Sequence, residues 1–451
     1  MNTPTLVAVD AVALPDPSGG ANALYAKVNW RIVPFLMLCY MVAFLDRINV
    51  GFAQLQMKQT LPFGDVIYGL GAGIFFAGYF LFEVPSNLAL TKIGFRRTLV
   101  RIMTAWGVVA ACMAFVQTPT QFLVARFLLG AFEAGFFPGV ILYLTYWYPS
   151  TRRGQMIALF MVANALGSIM AGPLCGGILK FLNGAGGLHG WQWLFVLEGL
   201  PACLLGVAGY FVLNDGPDQA SWLNEGERRF LARQLAADEQ GASGARHSGL
   251  RELLRDPKVY ALSAAYMFQL VSMYTMVFLT PTLIRRWGVA DLFIVGLCAS
   301  LPHICGMVGA ILMGRSSDRM HERRGHYIVA VAGAAFGVVL IAAAGGSLLP
   351  SLLGLCLAAT GWIAAMPLFF AAVTDYLPKV SAAAGIAIIS SLGNLGAAIG
   401  PALNAWLDSA FGGVLPGQLM VIGSWLVAAF IMFLTLRVRR LHNPPIRVQP
   451  R

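Results

Sequence analysis

Long apolar runs alternate along this chain with short polar intervals, most of them basic. A helix that crosses a bilayer needs about 20 predominantly apolar residues. Runs of that kind lie at Val28–Leu45, Ile67–Leu90, Leu99–Phe115, Phe122–Tyr143, Gln155–Phe181 and Trp193–Leu213. Six more follow, at Val259–Ile284, Ile294–Met313, Tyr327–Gly345, Leu352–Phe370, Ala382–Phe411 and Leu419–Leu436. The only long polar stretch between them, 214–258, separates the two sets. The pattern predicts an all-α membrane protein with twelve transmembrane helices in two six-helix bundles. The expected divisions are an N-terminal tail (1–27), a first bundle (28–213), a linker (214–258), a second bundle (259–436) and a C-terminal tail (437–451).

Composition narrows the class. Of 451 residues, 58% are hydrophobic and 11% charged, where a soluble domain carries roughly 25% charged residues. With a mean hydropathy of +0.71, too little polar surface remains to coat a water-soluble body. A soluble enzyme, a nucleic-acid-binding domain and a disordered chain are all excluded. The net charge of +11 is therefore better read from loop distribution than as a nucleic-acid footprint. With both termini placed in the cytoplasm, 25 of the 31 Lys and Arg residues fall in cytoplasmic segments. Lys58, Lys180, Arg285 and Arg286 fall on the opposite side, and Arg47 and Arg126 lie inside helices. That bias follows the positive-inside rule. It predicts a multi-pass protein of the inner (plasma) membrane with both ends cytoplasmic.

Several features set other chemistry aside. The seven cysteines are odd in number, lack CxxC spacing and sit in apolar runs, so they read as small buried hydrophobes. Residues 1–26 contain Asp10 and Asp16 but no basic residue, which leaves out a signal-peptide n-region and puts insertion on the internal spans. GERRFLARQLAADEQ within the linker reads as a short amphipathic helix along the inner face. Each half carries a basic loop after its second span, NLALTKIGFRRTLVR (87–101) and GRSSDRMHERRGH (314–326), an internal repeat of the two-bundle kind. Neither a Walker GxxxxGK[ST] nor an HExxH or GxSxG motif is present, so ATP drive, enzyme activity and a resident cofactor or metal are not expected.

The chemistry concentrates in ionisable residues at membrane depth, each costing ~2.5–3.5 kcal/mol on insertion scales. Asp46 and Arg47 close the first span, and Arg126 and Glu133 lie in the fourth. Seven residues apart, Arg126 and Glu133 share a helix face but sit roughly 10 Å apart along its axis. Asp46 and Arg47 point about 100° apart. The economical arrangement is exchange between the two helices: Asp46 with Arg126, and Arg47 with Glu133. Either the four staple two helices, or an arginine is released to a ligand, for which a guanidinium fork suits a carboxylate. A carboxylate poised between desolvation and a nearby arginine can toggle its proton. Substrate anion and proton would then travel together. Glu83, Glu198 and His303 read as solvated or packing groups, and Asn164, Asn394 and Tyr274 as interhelical glue or ligand contacts. Asp318, Arg319, Arg323 and Arg324 read as loop contacts.

These motifs resemble the major facilitator superfamily and, more narrowly, its anion:cation symporter family. The resemblance spans essentially the whole chain and rests on LDRINVGFA (45–53), GYFLFEVPSN (78–87), ARFLLGAFEAGFFPGVILYLTYWYP (125–149) and AAAGIAIISSLGNLGAAIGP (382–401). It implies a proton-driven importer of organic anions such as tartrate, galactonate, glucarate, hexuronates, phthalate or nicotinate. It makes Arg47 the principal carboxylate ligand, places Tyr79 and Asn394 in the central site, and makes Asp46 and Glu133 the proton-coupled acids with Arg126 as their balancing cation. Asn164 falls where some sugar-acid members have Gln. The tenth span departs from the family's FWxLP, reading Phe369, Phe370, Ala371, Ala372 and Val373, and Leu279-Thr280-Pro281 stands where Trp-Leu-Pro is common. These departures would face the part of the cargo away from its carboxylate, which brings a less hydroxylated or aromatic acid into view.

The expected protein is a monomeric secondary transporter that imports an organic carboxylate (tartrate-like, a sugar acid or an aromatic acid) with protons by alternating access. Its partners are that anion, protons and the lipid bilayer, with no nucleic acid. The rivals are a drug exporter of the same fold, which two intramembrane arginines disfavour, and an anion-binding membrane sensor, for which the linker and tail are short.

Overall fold

A computed structural model of the chain describes residues 19–242, 253–377 and 382–436. The tail segments 1–18 and 437–451, the linker residues 243–252 and Lys379 lie outside the described residues. Within them the secondary structure is helical, without strands. We number the helices α1 (Gly19–Ile48), α2 (Val50–Thr60), α3 (Asp65–Ile93), α4 (Phe95–Cys112), α5 (Pro119–Glu133), α6 (Phe136–Thr145), α7 (Ser150–Phe181), α8 (Gly190–Val212) and α9 (Glu225–Ala242). The remainder are α10 (Pro257–Arg286), α11 (Leu292–Met320), α12 (Arg324–Ala343), α13 (Leu348–Tyr376), α14 (Ala382–Phe411) and α15 (Leu415–Thr435).

Among the described residues, twelve spans are long and apolar enough to cross a membrane. Helices dominate because a backbone in lipid must satisfy its own hydrogen bonds. Local signals set the ends. Thr118 and Gln121 form a reciprocal capping box at the start of α5, with Pro119 at the first helical position.

The first span differs from the expectation that it ends near Leu45. Its helix continues through Asn49, whose backbone keeps right-handed helical angles, to give one span over Gly20–Thr60. The polar side chains that break the hydropathy run find partners inside the protein: Gln54 Nε2 donates to the Gly51 carbonyl at 3.1 Å and Gln56 Nε2 to the Leu179 carbonyl at 2.7 Å. Asp46 and Arg47 consequently do not close the span. At 1.5 Å per residue, Arg47 lies roughly 20 Å from the Thr60 end.

The chain divides into two compact units, one running from α1 to α9 with Ala290–Ser300, the other comprising the rest of α10–α15. In the first, α3 and α5 approach so closely that a Cβ on Gly130 would stand 1.9 Å from the Phe75 carbonyl oxygen. Backbone cannot yield as a side-chain tip can. Gly130→Ala is therefore expected to lower stability by about 1–3 kcal/mol, read as a lower midpoint of thermal unfolding in detergent. An unchanged midpoint would mean that the two helices separate freely.

The linker helix α9 starts in a capping box in which Asn224 Oδ1 accepts from Glu227 N and Glu227 Oε2 from Asn224 N, both at 2.8 Å. It is tied to the ends of two spans. Lys27 pairs with Glu227 at 2.9 Å. Asp238 takes the Ser150 hydroxyl and backbone N–H at the start of α7, with Arg153 at 3.3 Å. Those donors hold the Asp238 carboxyl below its ordinary range.

In the second unit, Trp362 and Trp425 stack at 6.1 Å, and Tyr327 donates to Gln269 Oε1 at 3.0 Å. Arg323 pairs with Asp318 and reaches within 3.8 Å of Asp375; of the four residues expected in a loop only Arg323 lies between helices, since Asp318 and Arg319 belong to the last turn of α11 and Arg324 begins α12. Of the cysteines, Cys39 and Cys175 are buried, whereas Cys112 and Cys305 are exposed. A small apolar thiol on the outside of a lipid-facing span is no worse placed than one in the core.

Candidate functional site

The fourth span breaks where its charge sits. Ala134 leaves the helix, and Gly135 adopts the left-handed conformation (φ 88°) before α6 begins. A Cβ at Gly135 would also meet Ser86 Oγ at 2.5 Å, so that position is closed to side chains both by conformation and by space. Glu133 thereby becomes the last residue of α5. The C-terminal end of a helix repels negative charge, and a buried carboxylate there needs a cation.

Arg47 supplies it. Its guanidinium forms an ion pair with Glu133 Oε1, with side-chain exposures of 14% and 0%. The expected pairing of these two helices is present on this side. The guanidinium also lies over the rings of Phe75 and Tyr79, at 5.6 and 5.5 Å from their centroids. Such faces stabilise a partly desolvated cation by cation–π attraction. Glu133 Oε2 has no hydrogen-bond partner among the described residues.

Arg126 also lies over Phe75, with its Cζ 4.9 Å from the same ring's centroid. It is fully buried. Its Nε donates to the Gly71 carbonyl at 3.0 Å, while Nη1 and Nη2 have no hydrogen-bond partner among the described residues. Phe75 thus carries two guanidinium groups. One is committed to a carboxylate; the other has terminal N–H groups without a hydrogen-bond partner among the described residues.

The direct pairing expected between Asp46 and Arg126 is not formed. Asp46 instead accepts from Trp106 Nε1 on α4 and from Asn49 Nδ2 at 3.0 Å one turn along its own helix. The cause is local: an indole N–H and an amide reach Asp46 first, while the Gly71 carbonyl and the Phe75 face hold Arg126. Asn49, Trp106 and Phe75 were not singled out in the sequence. For Asn49 a signal existed, since it follows Asp46 by three residues and so shares its face.

Among the proposed cargo contacts, Tyr79 is buried beside Arg47. Asn164 on α7 is half-buried and donates to the Tyr40 hydroxyl at 3.3 Å, within an aromatic cluster in which Tyr40 stacks on Phe160 at 4.5 Å. Tyr274 and Asn394 belong to the second unit, where both are half-buried; Tyr274 lies 6.2 Å from Phe278. Of the departures read from the sequence, Phe369 and Thr280 are buried, whereas Leu279, Phe370 and Ala371 are half-buried. Phe369 is fully buried against Tyr266 at 5.1 Å and Tyr327 at 5.7 Å, and the Thr280 hydroxyl donates to the Met276 carbonyl at 2.8 Å.

Comparison with known proteins fits this architecture. The family model of the Major Facilitator Superfamily matches residues 36–401 and 289–450. A Pseudomonas putida protein named as a metabolite transport protein, NicT, is 44% identical over 84% of this chain and 87% of its own. An Agrobacterium vitis protein named as a tartrate transporter is 42% identical over 91% of each. The crystal structure of a D-xylose-proton symporter superposes with a TM-score of 0.71 over 90% of this chain and 98% of its own. At 15% identity that likeness speaks for the fold alone. The chain belongs to the Major Facilitator Superfamily, and is a multi-pass membrane transporter and not an enzyme.

Proposed function

We propose that this transporter moves an organic carboxylate anion inward together with protons, by alternating access. The observation that carries the reading is the Arg47–Glu133 pair, with Arg47 over the Phe75 and Tyr79 rings, beside an Arg126 whose terminal N–H groups have no hydrogen-bond partner among the described residues. An incoming carboxylate can replace Glu133 on Arg47, and Glu133, released from its cation in a desolvated place, takes a proton. Exchange of partners on one guanidinium links anion binding to proton binding without a separate device.

In this reading Arg47 is the carboxylate ligand, and Tyr79, Asn164, Tyr274 and Asn394 contact the rest of the cargo. Asp46 and Glu133 carry protons, and Arg126 balances them. The names of the 44% and 42% identical relatives, a metabolite transport protein and a tartrate transporter, support a small organic anion as cargo. The ring-lined surroundings of Arg47 and Asn164 add an aromatic acid to the tartrate-like and sugar-acid candidates. Loop charge supports an inner-membrane location with both termini cytoplasmic, and the protein acts as a monomer.

Purified protein reconstituted in liposomes tests this. An imposed inward proton gradient is expected to drive accumulation of one labelled acid from a panel of tartrate, sugar acids and aromatic acids, and a protonophore to abolish it. Accumulation driven only by an outward-directed exchange with protons would make the protein an exporter. Binding without any flux would make it a sensor.

A further inference from the structure

Glu198 lies outside the site described so far, yet it is 3% exposed in the middle of α8. Its Oε2 accepts from Asn49 Nδ2 at 2.7 Å, and its Oε1 accepts from the Cys175 thiol at 3.3 Å. The same Asn49 nitrogen donates to Asp46 Oδ1 at 3.0 Å. One amide nitrogen, with its two hydrogens, therefore bridges two buried carboxyl groups carried by α1 and α8. Asn49 is itself fully buried, and its Oδ1 has no hydrogen-bond partner among the described residues. A buried carbonyl left unmatched is an expensive arrangement, and it is explained if that oxygen has a partner in another state of the protein.

Charge points to what that state is. Among the described residues, the buried acids of this unit are Asp46, Glu133 and Glu198, and its buried or nearly buried cations here are Arg47 and Arg126. Arg47 is engaged with Glu133. Among the described residues, no Lys, Arg or His hydrogen-bonds to Asp46 or Glu198. With all acids ionised the group carries one excess negative charge in a place poor in water, which is disfavoured. The groups facing the pair are Trp106 on α4, Cys175 on α7, Cys203 on α8, and Arg126 and Glu133 on α5. Of these only Arg126 is a fixed cation, and its hydrogen bond goes to Gly71.

We propose that Asp46, Asn49 and Glu198 form a proton-binding site, with Glu198 as a proton carrier additional to Asp46 and Glu133 and Asn49 as its switch. The amide presents its nitrogen to both carboxyl groups, the orientation that suits their ionised forms. When both have bound protons, a half-turn of the amide brings Oδ1 to the same place, where its two lone pairs accept the two new O–H groups. No bonds other than those O–H bonds form. A part for this site in coupling rests on the symport reading above; its proton binding does not.

Infrared difference spectroscopy of the purified full-length protein across a pH titration tests the site without transport. Wild type is expected to show a protonated-carboxyl band that Glu198→Gln removes, with proton uptake reduced by about one per protein. A titration unchanged in Glu198→Gln overturns the proposal. Should that variant fail to fold, Glu198→Asp keeps the proton but displaces the band, and an unmoved band overturns it equally. In liposomes, Glu198→Gln is expected to lower proton-driven accumulation several-fold. A wild type without proton-driven uptake would sink the symport reading and leave the titration result standing.

Discussion

Arg47→Ala is expected to abolish uptake of the carboxylate while leaving a folded protein. Removing one partner of a buried, hydrogen-bonded charge pair costs about 2–5 kcal/mol, or roughly thirty- to several-thousand-fold in affinity. Here the loss falls on binding of the anion, because the guanidinium is the group that the anion would share with Glu133. Arg47→Lys keeps a charge but not the planar fork that fits a carboxylate or spreads over the Phe75 and Tyr79 faces. It should recover only a small part of the rate. The double variant Arg47→Ala with Glu133→Gln separates the two consequences of the change. It removes the stranded acid, so stability should return toward wild type while uptake stays absent. Initial rates in liposomes, with size-exclusion profiles to confirm folding, decide the matter. Normal proton-driven uptake by Arg47→Ala would remove carboxylate capture from the mechanism.

The twelve spans were legible because lipid imposes one rule on every crossing segment, and a run of apolar residues is its direct imprint. The end of the first span was not, because Gln54, Gln56 and Lys58 interrupt hydropathy while the fold gives the two glutamines internal acceptors. The Arg47–Glu133 pair followed from charge and helix geometry alone. Asp46 did not, for a related reason: charge counting looks for a cation, whereas a carboxylate is also satisfied by neutral donors, here Trp106 and Asn49. The interruption at Gly135 leaves no mark in hydropathy either, since AGFFPG (134–139) stays apolar across it. That interruption decides which side chain ends α5, and so places Glu133 where the helix end disfavours its charge.

Glu133→Gln is expected to uncouple the protein without silencing it. Glutamine is nearly isosteric, and its carbonyl oxygen can still accept from Arg47, so the guanidinium stays placed over Phe75 and Tyr79. What disappears is the competition between the acid and the cargo for one cation, and with it the proton taken up on exchange. Proton-driven accumulation should fall by tenfold or more, while exchange of labelled for unlabelled cargo at equal pH persists at a rate within a few-fold of wild type. Asp46→Asn should behave differently, although both acids are proton carriers in this mechanism. Its carboxylate accepts from two donors, Trp106 Nε1 and Asn49 Nδ2. An asparagine has one acceptor oxygen, and its amide nitrogen would face one of those N–H groups donor to donor. A buried donor left unmatched costs about 1–3 kcal/mol, so Asp46→Asn should lower the unfolding midpoint as well as coupling, where Glu133→Gln affects coupling alone. If both variants lost exchange and accumulation together with stability unchanged, the two acids would be cargo ligands in their own right. The exchange of partners on Arg47 would then no longer account for the coupling.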